Sequence, residues 1–139
     1  MSIRESITFL TIAEVKENSP IQINIDEPII FTSIIKAQNI ELQPILGSNL
    51  FDKLLTDIDN DSLGSPYLEL IRDYIKPVVR EYTLVRALPF VYYNINRKGI
   101  NTFSDEYQES VDESELNRLQ NIFKSDAEFY AERLKDYLI

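Results

Sequence analysis

Asp57-Ile58-Asp59-Asn60-Asp61 is the stretch of this chain whose residue types and spacing come nearest to a chemical site. Three carboxylates at alternate positions are how an EF-hand calcium loop begins, because the hard cation takes oxygen ligands from its first, third and fifth residues. That loop also needs a glycine at its sixth position and a bidentate glutamate at its twelfth. Here those positions hold Ser62 and Leu68, and Glu69 comes one step late. The run reads mainly as a solvated acidic turn between helices, with Asp57, Asp59 and Asp61 kept as a weak calcium candidate.

The chain has no cysteine and no histidine. That removes disulfides, thiolate zinc sites, cysteine nucleophiles and Ser-His-Asp triads. It also removes the side chain whose unperturbed pKa suits proton transfer near neutrality. Carboxylate pairs such as Asp105-Glu106 and Asp112-Glu113 fall in a loop or at a helix start, with no second group converging on them. No catalytic residue and no cofactor is assigned, and the chain is expected not to be an enzyme.

Eight tyrosines and seven phenylalanines could stack on bases, but single-strand readers pair such aromatics with a basic groove. None is visible here. Tyr67, Tyr74, Tyr82 and Tyr130 follow helical spacing and read as packing residues. Arg86, Arg97 and Lys98 are the best cationic cluster, and helix-end electrostatics with surface ion pairs account for it. Tyr92, Tyr93, Arg97, Lys98 and Phe103 are interface candidates, near the end of the longest helix.

The formal net charge of −9 disfavours general nucleic-acid binding, which needs clustered cations against phosphate. Acidity is concentrated late: residues 101–139 hold ten acids against four bases. No apolar run reaches the length of a membrane span, and Arg4 and Glu5 interrupt the first residues, against a signal peptide.

The elements that must position these residues are mainly helices. Tyr67 to Lys98 carries two apolar stripes at spacings of three and four. Leu68, Ile71, Ile75, Val78, Tyr82, Val85, Pro89 and Tyr92 form one; Tyr67, Leu70, Tyr74, Pro77, Leu84, Leu88, Val91 and Ile95 form the other. Glu69, Arg72, Asp73, Lys76, Arg80 and Thr83 are left for water. Such a helix would be roughly 48 Å long, so Pro77 and Pro89 bend it or part of it lies against another chain.

Around it, Ile7 to Ala13 reads as an extended lead, and Thr11-Ile-Ala-Glu14 has capping-box spacing for a short helix ending by Pro20. Ile21 to Ile25 alternates as a strand whose best mate is Ile100 to Phe103. Asp26 caps a helix running to about Gln43, with Phe31, Ile34, Ile35, Gln38, Leu42 and Ile45 inward and Pro44 ending or kinking it. Gly47 is a C-cap, and Ser48 caps a helix over 49–58 with Leu50, Phe51, Leu54 and Leu55 inward. Ser65-Pro66 starts the long helix, and Gly99 ends it. A last helix runs from Asp112 to near Leu138, after a Ser110-Val-Asp-Glu113 capping box. Its stripe is Leu116, Leu119, Phe123, Ala127, Tyr130, Leu134 and Tyr137. The fold class is therefore mostly α, one domain over 1–139: a helical bundle around one long central helix, with a minor β-hairpin or extended arms.

Several short stretches occur in an order and spacing that resemble a known group. They are Ala37-Gln38, Gln43-Pro-Ile-Leu-Gly47 with Leu50, Tyr74-Ile-Lys-Pro77, Ala87-Leu-Pro89, Lys98-Gly-Ile100, Ala127-Glu128 with Tyr130, Arg133-Leu134 and Tyr137-Leu138. Together they resemble the small, mostly helical head–tail connector (adaptor or neck-ring) proteins of tailed phages, as in crAss-like and related Bacteroidetes phages. The resemblance implies a non-enzymatic virion protein, made in the host bacterial cytoplasm and placed in the neck. It implies a homo-oligomeric ring of about a dozen copies between the portal protein and the tail or neighbouring neck proteins. DNA would pass through the lumen without specific binding, and no membrane is involved. The arms reaching neighbours would be residues 1–25 and 99–111. Two other readings stand beside it: a non-viral helical protein–protein adaptor, and a hard-metal-dependent enzyme using Asp57, Asp59 and Asp61.

Overall fold

Every described element of the computed structural model is helical, and the description covers residues 3–18, 27–98 and 106–139, with side chains omitted at 91–98 and 106–113. In chain order these are α1 (Ile3–Ser6), α2 (Ile12–Glu17), α3 (Glu27–Lys36), a π-helical segment π1 (Ala37–Leu42), α4 (Gln43–Leu46) and α5 (Ser48–Asp59). There follow α6 (Ser65–Glu69), a second π-helical segment π2 (Leu70–Ile75), α7 (Lys76–Lys98) and α8 (Glu106–Leu138). The mainly α class holds. The expected strand pair (21–25 with 100–103), the Asp26 cap and the Gly99 stop lie outside the described residues.

The chain is continuously helical from Ser65 to Lys98, as the two stripes require. Leu70, Ile71, Ile75, Val78, Leu84 and Leu88 are buried on its two sides, packed by α3 and π1 on one and by α8 on the other. Both stripes over 70–88 are thus packed largely inside one subunit, with Tyr82 and Val85 only partly covered. Leu68 is the exception and is half exposed. Thr83, expected at the solvent strip, is fully buried; its Oγ1 donates to the Val79 carbonyl at 2.6 Å, which removes the cost of hiding a hydroxyl.

Two prolines are accommodated by widening the helix. Proline lacks an N–H and its ring crowds the carbonyl four residues earlier. Pro44 and Pro77 each stand two residues beyond a π-helical segment, π1 and π2. There the backbone bonds span five residues, Gln43 N–H to Gln38 O and Lys76 N–H to Ile71 O. The wider turn shifts the crowded carbonyls and lets the helix continue, so Pro44 does not end it.

The first π segment also fastens the N-terminal lead. Gln38 is completely buried, and its Oε1 accepts from Phe9 N–H at 2.7 Å while its Nε2 donates to the Ile7 carbonyl at 3.1 Å. Two backbone groups of this non-helical stretch are satisfied by one amide. Asn39 adds a bond from Nδ2 to the Arg4 carbonyl at 3.1 Å. Arg4 meets Asp52 of α5 with two bonds, 2.7 and 2.9 Å, which hold the Asp52 carboxyl below its usual range. Phe9, Leu10 and Val15 are buried, so the portion of the expected arm between Ile3 and Asn18 is folded onto its own domain.

Several boundaries match and others move. The Thr11–Glu14 capping box is present in both directions, each bond 3.1 Å. Gly47 sits at φ +81° and ψ 156°, a backbone region reserved for glycine, between α4 and α5. Ser48 is not a cap: it is the first residue of α5, and its Oγ accepts from Gln43 Nε2 at 2.6 Å. Gly64, not Ser65, caps α6, its carbonyl receiving the Tyr67 and Leu68 N–H groups. The last helix begins at Glu106 instead of Asp112, because residues 106–111 contain no proline or glycine to stop it. On α3 the inward face is Ile30, Ser33 and Ile34, leaving Phe31 exposed; three consecutive apolar residues (29–31) leave the phase of a stripe ambiguous. On α5, Phe51, Leu54 and Leu55 are buried as expected, and Leu50 is half-buried.

Replacing Gln38 with Ala strands the Phe9 N–H and the Ile7 carbonyl in the interior. We expect a loss of about 2–4 kcal/mol in urea unfolding, with increased proteolysis within residues 3–18. The Glu14 carboxyl is pushed up by burial, but bonds from Lys76 (2.8 Å) and Thr11 outweigh this and hold it below its usual range. Its contribution is therefore complete above the ordinary carboxylate range and is lost as the pH falls through its lowered folded-state value. Glu14→Gln should show a flatter decline of the urea midpoint on acidification than the parent chain.

Candidate functional site: a cleft between α3, α7 and α8

Pro89 creates the local condition for a cleft between α3, α7 and α8. It lies inside α7 without a π turn, so the Val85 carbonyl loses its helical donor. Gln120 of α8 supplies one through Nε2 at 3.4 Å, tying the two long helices together at this level. The opening beside this contact encloses about 670 Å³, within the range of ligand and side-chain docking sites. Its apolar wall is Pro28 and Ile29 of α3 with Val85, Pro89 and Phe90 of α7.

Its polar groups are placed by the same three helices and π1. Arg86 meets Glu41 with two short bonds, 2.6 and 2.7 Å, which raise the arginine pKa further above its ordinary value. Such a bidentate fork fixes both side chains. Tyr82 is half-buried beside them, and burial first, then the carboxylates of Glu128 and Glu41, push its hydroxyl pKa up. Lys36 and Lys124 also line the cleft, are exposed and take part in no ion pair among the described residues. Apolar walls between two unpaired ammonium groups suit an apolar group that carries negative charge nearby. The described groups form no pairing of nucleophile with base.

The residues singled out from sequence fall elsewhere or are engaged structurally. Asp57 accepts from Lys53 at 2.7 Å and from Ser62 at 3.4 Å. Asp61 has φ +52° and terminates α5: Ser62 N–H reaches the Asp57 carbonyl at 2.8 Å, and Asp61 N–H that of Ile58 at 3.2 Å. That pair of backbone bonds is a Schellman stop, so the run forms the expected turn after α5. No group of three acidic residues able to hold a metal occurs among the described residues. Arg86 is committed to Glu41; the side chains of Tyr92, Tyr93, Arg97 and Lys98, and all of Phe103, lie outside the description.

The tyrosines pack. Tyr74 stacks on Tyr137 with centroids 3.9 Å apart, and Arg133 lies over Tyr74 at 5.0 Å. Tyr67 is covered by Lys53 at 4.8 Å, and Tyr130 by Arg80 at 5.7 Å. Sequence reading missed the cleft because its walls come from three separated stretches. The local signal was a proline within each of two helices, Pro28 and Pro89.

Comparison with known families gives one match, to a family of unknown function (DUF6712), over residues 42–139. The chain belongs to the DUF6712 family. The matched segment contains the α7 and α8 walls of the cleft and the Asp57–Asp61 turn, while the α3 wall and Glu41 precede it. No curated protein and no solved structure matches the chain.

Because the acidic run is a helix stop, millimolar calcium should leave the thermal midpoint unchanged. Asp61→Gly should raise stability by about 0.5–1 kcal/mol in the same assay, since glycine adopts positive φ without a Cβ penalty. A calcium-dependent rise in the midpoint would restore the ion-binding reading.

Proposed function

We propose that this member of the DUF6712 family is a structural virion protein, a head–tail connector subunit that forms a ring between portal and tail. The observation that carries the reading is apolar surface left open on two sides of an otherwise well-filled helical bundle. On one side are the cleft and Phe90; on the outer face of α8 are Ile122 and Phe129. Uncovered aromatic and aliphatic groups of this kind are what a subunit offers to neighbours. The order and spacing of residues 37–138 noted above support the same assignment.

A structural role also fits how the charged groups are used. Arg4, Lys76 and Arg86 each bridge separate elements through Asp52, Glu14 and Glu41. These pairs hold the subunit's shape, leaving the acidic excess to face other chains or the passing DNA. An acidic lumen would let the polyanion slide without adhering.

The test is the copy number in purified particles of the phage that encodes the chain, by quantitative mass spectrometry against the portal protein. A ratio near one, or a small integer multiple, is expected. Absence from clean particles would end the connector reading and favour a cellular adaptor.

A further inference from the structure

The two open apolar sites lie on opposite sides of one helix. Gln120 and Lys124 of α8 line the cleft. Phe129 is nine positions beyond Gln120, about two and a half turns, and therefore points the other way. It is 63% exposed, and Ile122, one heptad before it on the same face, is 50% exposed. Among the described residues the Phe129 ring meets that of Tyr130, its chain neighbour, at 5.3 Å.

The charges at the two sites are opposite. Within a turn of Phe129 on its face stand Asp126 and Glu132, with Asp136 two turns beyond, and all three are exposed. Glu132 has one weak surface pair with Lys135 at 3.1 Å; Asp126 and Asp136 have no ion pair among the described residues. Of the nearby cations, Lys135 makes that pair and Arg133 lies over Tyr74. The cleft presents the complement: apolar Ile29, Pro89 and half-exposed Phe90 beside unpaired Lys36 and Lys124.

We infer that Phe129 of one copy, flanked by Asp126 and Glu132, seats in the α3–α7–α8 cleft of a second copy beside Lys36 and Lys124. The contact joins two different patches, so it is heterologous, and each subunit keeps one knob and one cleft free for the next. A heterologous contact repeats around a ring when the rotation closes. This specifies the subunit contact of the connector reading and rests on it. Phe129 supplies the aromatic anchor and Phe90 an aromatic partner, while the carboxylate–lysine pairs set direction and exclude the reversed arrangement.

The chain has no cysteine, so introduced thiols report this contact alone. Under mild oxidation Thr32→Cys/Ser125→Cys, at the cleft lining and one turn before Phe129 with both aromatic groups kept, should give a ladder extending beyond dimer, whereas either single variant should not cross-link. Lys36→Glu/Lys124→Glu in that background should reduce cross-linking at least about tenfold, as should Asp126→Lys/Glu132→Lys. Mixing the two charge-reversed proteins should restore it. Dimers from Ser125→Cys alone would show a two-fold contact and overturn the proposal. So would a chain that stays monomeric and uncross-linked at high concentration, or a cleft that binds 3-phenylpropionate equally with and without Phe129 while no ladder forms. Recovery of the protein in particles at portal stoichiometry together with any of these results would remove this contact and leave the connector reading standing. A correct ladder from a protein absent from particles would do the reverse.

Discussion

A helix that is apolar on two sides must be covered on two sides, and the rest of this structure follows from that demand. The segment 70–88 cannot lie on a surface as an ordinary amphipathic helix does. Its covers come from both ends of the chain. α3 and π1 close one side, and α8 returns along α7 to close the other. The burial is thorough enough to include Gln38 and Thr83, and each of these is accepted only because a named backbone group satisfies it.

Backbone accounting explains where the covers attach. Each of three prolines within the long helical stretches disturbs one turn, and the chain answers in two ways. Widening at π1 and π2 absorbs Pro44 and Pro77, and the side chain of Gln120 replaces the donor missing at Pro89. The first answer gives more than continuity. The widened turn carries Gln38 and Asn39, which hold the N-terminal lead, and Glu41, which fixes Arg86. A local repair of the helix thereby becomes the junction of three elements.

Much of this was legible in the sequence because it depends on local chemistry. The capping box at Thr11, the helix break at Gly47 and the long span from Ser65 need only neighbours in the chain. What was not legible depended on phase or on distant partners. Ile29, Ile30 and Phe31 are equally apolar, so only packing selects Ile30 for the core. Thr83 looked solvent-facing because a hydroxyl ordinarily is, and its bond to Val79 was not deducible from composition. The cleft joins Lys36, Tyr82 and Lys124 across three helices, and no spacing rule links them. Asp57, Asp59 and Asp61 were read mainly as a turn between helices, and the positive φ of Asp61 ends α5 there.

The family match begins at Leu42, inside π1, yet the core does not. Phe9, Leu10, Val15, Ile30, Ile34 and Ala37 all precede that point and join one continuous cluster with Leu54, Ile75 and Val78. Removing them would expose the α3-facing stripe of the central helix along with its buried valines and leucines, a large apolar surface returned to water. It would also remove Glu41, leaving Arg86 beside the cleft without its carboxylate. The unit that folds is therefore larger than the segment that matches. The cleft straddles the two parts, its α7 and α8 walls within the matched segment and its α3 wall before it. Whatever occupies that cleft reads both parts at once, so its specificity depends on α3 as much as on the matched segment.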